Sequence, residues 1–563
     1  MAFGDLLEQV GSTGRFQILH VTLLVIPVLL MASHNLLQNF VAAVPAHYCS
    51  AQTNLSQSRL TAEQTLLITV PLEKNGRPDR CQRYVTPQWH LIAENGTSSS
   101  GDQGDAQDDG ANIDLQGCTD GWSYNMTEMT STIISDWHLV CDMRSLKEMG
   151  QTVYMGGVLL GAFIFGGLSD RYGRRNLLLF SNLLMAVSGT CVAFSPSFSL
   201  FCLFRFMCGM SLSGMGLNTF SLIVEWIPTR IRTVTGTLTG YCYTVGQLIL
   251  AVIAYFIRDW RWLTLTVSLP FYVFFLYSWW FLESSRWLVL SNNCEEAVKN
   301  LQSVARFNGR QEEGEKIDVK MVQESMKKEL SCSHGTYTIL DLFRTTTMRN
   351  MTLCLSAVWL STSFAYYGLS MDLQKFGVNI YLIQVIFGAV DIPAKVVITV
   401  TMSYIGRRPS QCGALILAGV TILANVLVPY DQQTVRTSLA VVGKGCLAAS
   451  FNCCYLYTGE LYPTIIRQNG MGWVSMMARV GAMVAPMVLL MGDYMPWLPG
   501  VIYGGLPILS GVAAVFLPET LGSPLPDTIQ DVEDRGSGRS SKKTPKEAII
   551  LQDTQSNLLK QTA

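Results

Sequence analysis

The chain has 563 residues, 49% of them hydrophobic and only 14% charged, about half the charge density of soluble domains. Its net charge of −1 excludes the basic surface that a nucleic-acid partner requires. The apolar residues gather in runs of roughly 20, the length that crosses a ~30 Å hydrocarbon core, so an integral membrane protein is expected.

An N-terminal segment, 1–15, precedes the first run, which extends from about Phe16 to Leu37 and holds Pro27. No small-residue cleavage site follows it, so a retained helix is expected rather than a signal peptide. Met31, His34, Asn35, Gln38 and Asn39 recur at helical spacing along and just beyond this run. Further spans are expected near 149–168, 176–195, 199–223, 234–256 and 262–282, completing a six-helix bundle over 16–282. A polar stretch, 283–349, separates it from spans near 350–370, 379–404, 410–428, 435–457, 468–491 and 497–517. These make a second bundle over 350–517, followed by a polar tail, 518–563. The expected fold is all-α, with twelve transmembrane helices in two six-helix halves.

Short loops rich in Arg and Lys mark the cytoplasmic side. Arg171, Arg174 and Arg175, then Arg230 and Arg232, then Arg407 and Arg408 all fall on one side under a twelve-span count, with 283–349 and both termini. The opposite side carries one large loop, 41–147. It holds Cys49, Cys81, Cys118 and Cys141 and the sequons at Asn54, Asn95 and Asn125. Disulfides and glycans both belong outside the cytosol. Four cysteines allow three pairings, and spacing does not choose among them.

The two halves repeat each other. Gly173-Arg174-Arg175 returns as Gly406-Arg407-Arg408, 233 residues on. Glu225-Trp-Ile-Pro-Thr-Arg-Ile-Arg232 returns as Glu460-Leu-Tyr-Pro-Thr-Ile-Ile-Arg467 at 235, and Glu283 returns as Glu519 at 236. Duplicated halves rock about a site at the bilayer midplane. Asp170 and the repeated Arg and Glu partners suit a charge latch that closes the cytoplasmic side in one state and parts in the other. The plainer reading is that the arginines only set topology.

Charge inside a span marks function. Arg479 lies 12 residues beyond Arg467, roughly 18 Å into its helix, and no acid shares that helix. Lys395 sits 11 residues before Gly406 at similar depth, with Asp391 at i−4 as an obvious partner. A guanidinium holds a carboxylate bidentately and an ammonium acts as a point charge, so two cations at one level suit an anionic substrate. Lys444 and Arg205 also fall within spans. Arg205, toward the outer end of its helix, is expected to snorkel, and neither is assigned to substrate. Tyr241, Tyr243, Trp359, Phe364, Tyr366, Tyr367, Phe451 and Tyr455 sit well inside their spans. Each alone reads as packing; together they suit a flat amphipathic anion. His34 reads equally as a packing histidine or a ligand contact.

The run Gly166-Gly-Leu-Ser-Asp170-Arg171-Tyr-Gly173-Arg174-Arg175 resembles the major facilitator signature. Glu283-Ser-Ser-Arg286-Trp287 and Pro518-Glu519-Thr520-Leu-Gly522 resemble sugar-porter-type endings. The large sequon-bearing first loop is similar to that of the organic-ion branch. Met31-Ala-Ser-His-Asn-Leu-Leu-Gln-Asn39 and Ser363-Phe-Ala-Tyr-Tyr-Gly368 resemble the renal organic anion transporters. That resemblance implies that Tyr243, Trp359, Tyr366, Tyr367 and Phe451 face the cavity. It also implies that Arg479 and Lys395 select anions, since cation-carrying relatives have an acid at the former and no cation at the latter. It further implies exchange of an aryl carboxylate such as para-aminohippurate for intracellular 2-oxoglutarate, at the basolateral plasma membrane of kidney tubule cells. Chloride and membrane lipid complete the expected partners. A carrier of organic cations or zwitterions and a non-transporting membrane sensor are the alternatives. No phosphate-binding loop, metal-ligand set or catalytic constellation is present in the sequence, so neither an enzyme nor a cofactor is expected.

Overall fold

The computed structural model describes residues 3–11, 13–50, 61–73, 77–89, 91, 114–332, 338–371, 373–429, 431–463, 465–523, 526 and 528–536. Twelve rods form the body. Those of the first half are Arg15–Leu36, which carries on to Val41 with a break at Leu37, then Ser145–Tyr172, Arg174–Ala193, Phe198–Trp226, Thr229–Phe256, and a pair, Trp260–Ser268 and Pro270–Ser278. Those of the second are Thr346–Ser370, Ile380–Tyr404, Arg407–Leu427, Gln433–Leu461, Arg467–Leu489 and Leu498–Ala514. They are numbered here as spans one to twelve. Among the described residues nine helices are long and apolar enough to cross a membrane, and Leu498–Ala514 is a shorter apolar one. The sixth rod is interrupted because Pro270 has no N–H to give the preceding turn. The seventh spans 25 residues but is richer in Thr and Ser.

Within each half the helices approach closely where glycine permits it. A Cβ on Gly157 or Gly161 of the second span would meet the backbone of Phe206 or Met210 on the fourth, and one on Gly209 would meet the Tyr154 backbone. Small residues at such crossings let backbones pack where lipid offers no hydrophobic drive.

The large loop is anchored by disulfides Cys49–Cys118 and Cys81–Cys141, the one pairing of three that the structure adopts. Two short antiparallel sheets lie beside them, His47–Cys49 with Trp122–Tyr124 and Gln82–Tyr84 with Leu115–Gly117. Asn125 is exposed there, whereas Asn54 and Asn95 fall outside the described residues. On the opposite side the connecting polar stretch folds into helices Ser285–Leu290, Cys294–Phe307, Gln311–Glu315 and Val319–Cys332. Apolar residues three or four apart on the second of these, Val298, Leu301 and Val304, form its buried face and pack with Leu6, Leu7, Val10 and Trp226. Asn308 ties this layer to the first span by accepting from Phe16 N–H and donating to the Val10 and Gly11 carbonyls. The tail helix Ile529–Gly536 sets Glu533 over the start of the seventh span, where it accepts from Thr347 and Met348 N–H.

Candidate functional site

The repeated loop motifs build two matching charge clusters, one in each half. At Gly173 (φ 92°) and Gly406 (φ 118°) the chain turns through a conformation that disfavours a side chain. The turn aims the next two backbone N–H groups at one carboxylate. Glu283 accepts from Arg174 and Arg175 N–H, and Glu519 accepts from Arg407 and Arg408 N–H at 2.9 and 3.0 Å. Arg174 pairs with Glu225 at 3.5 Å, and Arg407 with Glu460 at 3.1 Å. Asp170 pairs with Arg174 of its own half at 3.1 Å rather than with the neighbouring bundle. These clusters clamp each half internally in this state. Arg171 is exposed, Arg232 and Arg467 lie on the same side, and the Arg467 side chain donates to the Tyr462 carbonyl. The two carboxyls differ in environment. Burial pushes Glu283 above the ordinary carboxylate range. Burial also acts upward on Glu519, but four backbone N–H groups, from Leu521, Arg407, Arg408 and Thr520, outweigh it and hold this carboxyl low.

The halves are tied together on the large-loop side. Asn39 donates to the Ser370 carbonyl at 2.9 Å and to Gln384 at 3.3 Å. Gln374 exchanges two hydrogen bonds with the Val44 backbone, and Tyr381 donates to the Glu128 carbonyl while stacking on Phe40. Toward the opposite side, a Cβ placed on Gly166, Gly167, Gly236 or Gly472 would meet nothing within 4 Å. The two halves are therefore held together on the side of the large loop.

Between these levels the structure gathers the aromatic residues. Tyr366 meets Tyr367 and Phe451 edge-on, with ring centres 5.5 and 5.3 Å apart. Trp359 meets Phe451 and Tyr455 edge-on and donates its indole N–H to Thr458 at 2.9 Å. Trp359 is fully covered, so it backs the wall, whereas Tyr455 leaves more than half its surface open. Tyr243 reaches in from the fifth span, where its hydroxyl accepts from the Asn35 amide at 2.9 Å. Tyr154 donates to the same Asn35 at 3.0 Å, a contact that sequence distance conceals. Met31 lies against Gly216. His34 is turned away, completely buried among Phe271, Ser268 and Gly189 of the first half, which is the packing arrangement of its two readings.

The cations divide by partner. Arg479 donates to Ser475 at 3.1 Å, lies within electrostatic reach of Tyr455 and Tyr367, and has no carboxylate partner among the described residues. Lys395 spends two of its three N–H donors on the Gly240 carbonyl and the Thr244 hydroxyl, both at 2.8 Å, so it bridges the halves. Its expected partner Asp391 is taken instead by Lys444 at 2.9 Å, both groups being buried. Tyr366 donates to the same carboxylate at 3.2 Å, and Gln247 of the other half donates to the Tyr366 hydroxyl at 3.1 Å. Arg205 does not snorkel: it is 2% exposed, with its guanidinium over the Tyr154 ring. The close second and fourth spans enclose it before it can reach the surface.

Residues 116–530 match the family model described as "Sugar (and other) transporter". The chain is 76% identical over 563 residues to "Solute carrier family 22 member 6" of Pseudopleuronectes americanus, covering 100% of both. It is 69% identical to the Danio rerio protein of the same name, again over 100% of both, and 51% identical to that of Oryctolagus cuniculus over 98% of each. Among solved structures, the partially occluded inward-open xylose transporter XylE from E. coli matches with TM-score 0.58 and 16% identity, over 91% of this chain and 99% of that one. At that identity the likeness concerns the fold alone.

Proposed function

Because the chain belongs to solute carrier family 22, within the major facilitator superfamily, we propose that it is an organic anion transporter that exchanges aryl carboxylates for an intracellular dicarboxylate by alternating access. The observation that carries this reading is Arg479, a guanidinium in mid-span with no carboxylate partner among the described residues, within electrostatic reach of Tyr367 and Tyr455 of the aromatic cluster. An aryl carboxylate satisfies both at once: its ring packs on Tyr243, Tyr366, Tyr367 and Phe451, and its carboxylate meets Arg479. Lys395 has one donor left for the same anion, and its bridge to Gly240 must break whenever the halves rock apart. Dicarboxylate leaves through the same site, so no ATP is needed. Asn35 orients Tyr243, while Asn39 belongs to the outer seal. The Asp170, Arg174, Glu225 and Arg407, Glu460 clusters form the cytoplasmic gate of each half. The protein works at the plasma membrane, basolateral in epithelia, with glycans on the large loop.

An organic-cation carrier needs an uncompensated acid at this depth, and the buried Asp391 is neutralised by Lys444. The deciding experiment is uptake of labelled para-aminohippurate into proteoliposomes, with and without 2-oxoglutarate loaded inside. Stimulation by the preload is the expected result. Uptake indifferent to it discards the counter-substrate, and no uptake by folded protein brings the cation-carrier and sensor readings forward.

A further inference from the structure

The fifth and eighth spans, one from each half, meet along matching stripes. Gly240, Thr244 and Gln247 recur at i, i+4 and i+7 on the fifth, and Gly388, Asp391 and Lys395 at i, i+3 and i+7 on the eighth. Gly388 lets the helices close, since a Cβ on it would meet Leu248 at 2.8 Å. At one end of the contact Lys395 bonds to Gly240 and Thr244. At the other, Gln247, which is 1% exposed, donates to the Tyr366 hydroxyl at 3.1 Å. Its amide also reaches Asp391 at 3.5 Å, the limit of a hydrogen bond. The rest of that node, Tyr366, Asp391 and Lys444, stands on the seventh, eighth and tenth spans of the second half. Gln247 is therefore the arm through which the first half holds Tyr366.

We propose that Gln247 is a positioning residue that restrains the empty carrier, and that a substrate ring releases it. The inference rests on the exchange reading above, since an exchanger that turned over empty would dissipate the gradient it uses. Tyr366 is 6% exposed, and its ring is flanked by Tyr367, Phe451 and the Lys444 ammonium, the last 4.0 Å from its centre. A substrate ring reaches its face only when Tyr366 turns, and turning carries the hydroxyl away from Gln247. Filling the wall and breaking this contact between the halves are thus one movement. Lys444 stays on Asp391 throughout, because that pair lies wholly within the second half. The substrate carboxylate acts on the same interface at its other end, by drawing Lys395 from Thr244. Gln247 itself needs no contact with the anion.

The test reads the unliganded protein, so its failure is distinct from failure of the exchange reading, which the preload experiment decides. Tyr455→Cys protein in proteoliposomes free of organic anion is labelled by a membrane-impermeant maleimide from the large-loop side, corrected for the same protein without the new cysteine. Loss of one hydrogen bond between the halves is expected to speed labelling about 2- to 10-fold in Gln247→Met, which keeps the side-chain length and removes the donor. Tyr366→Phe is expected to do the same from the other side of the bond, and the two together no more than Tyr366→Phe alone. Transport gives a readout that a merely structural residue would not move. In Gln247→Met, para-aminohippurate uptake without preload rises toward the preloaded rate, while its KM stays within about twofold. Unchanged labelling in Gln247→Met overturns the proposal. So do a double variant whose effects add and an uptake ratio that stays at the wild-type value. If Gln247→Met does not fold, Tyr366→Phe alone decides, through the same acceleration or its absence.

Discussion

At the scale of single residues, three cations inside the spans have three different environments. Arg479 is held by a serine hydroxyl, Lys444 by a carboxylate and Arg205 by an aromatic face. Arg479→Asp should cut para-aminohippurate uptake more than tenfold while surface protein stays constant; unchanged uptake rejects its role. Arg479→Lys should recover only part of it, because an ammonium cannot hold a carboxylate bidentately. Lys444 behaves differently. Asp391→Asn leaves its ammonium buried and unpaired, at a cost of about 3–5 kcal/mol, whereas Asp391→Asn with Lys444→Met removes both charges. The single variant should show a depressed melting temperature and little surface protein, and the double variant should regain most of both. Equal losses would mean that the pair acts through Tyr366 rather than through charge balance. Residue type and depth single out Arg479 in the sequence. The Asp391 pairing was not legible there, because proximity along one helix pointed to Lys395, while the true partner comes from the tenth span. Arg205 misled for a related reason, since position near a helix end says nothing of a neighbour that packs over it.

At the scale of elements, the duplicated loop motifs show how one pattern tolerates two electrostatic settings. The offsets near 235 residues were visible in the chain, and they set the glycine motifs and the later glutamates in one register. What spacing could not reveal is that each cluster closes within its own half and that its carboxylate caps backbone N–H groups. Glu519 illustrates the consequence for pH. Its carboxyl is held low in the folded protein by four backbone donors, so the folded state binds its proton less readily than the unfolded chain, whose value is about 4.3. Its stabilising contribution is therefore fully present above that value and is lost as pH falls through the lower folded value. Glu519→Gln should lower the melting temperature at pH 7, and the gap from wild type should close below about pH 4 as the wild-type group also loses its charge. Glu283→Gln should cost less at pH 7, since burial already works against the charged form there. A pH-independent deficit for Glu519→Gln would assign its role to shape alone.

At the scale of the whole molecule, a few polar contacts tie the two halves on one side, and the proposed exchange requires a second state in which they part. The twelve helices and their two-fold repeat were readable because hydropathy and span length are properties of the chain itself. Which face the halves meet on was not readable, because hydropathy and span length are the same whichever ends touch. Asn39, Gln374 and Tyr381 supply the seal by bonding across the halves, mostly to backbone carbonyls. The three side chains make five such bonds, and at the lower end of about 0.5–1.5 kcal/mol net each, removing them should move the equilibrium between closed and open outer faces by about 2–3 kcal/mol. That shift is on the order of 30- to 150-fold. Asn39→Ala, Gln374→Ala and Tyr381→Phe combined should therefore expose the aromatic wall to the large-loop side. The measurement is labelling of Tyr455→Cys by a membrane-impermeant maleimide added on that side, corrected for the same protein without the new cysteine. Labelling should accelerate in the triple variant, and exchange should slow, because the outward-open state is now the resting one. If labelling stays at background while the protein remains folded, the seal is carried by the apolar contacts of Phe40 and its neighbours instead.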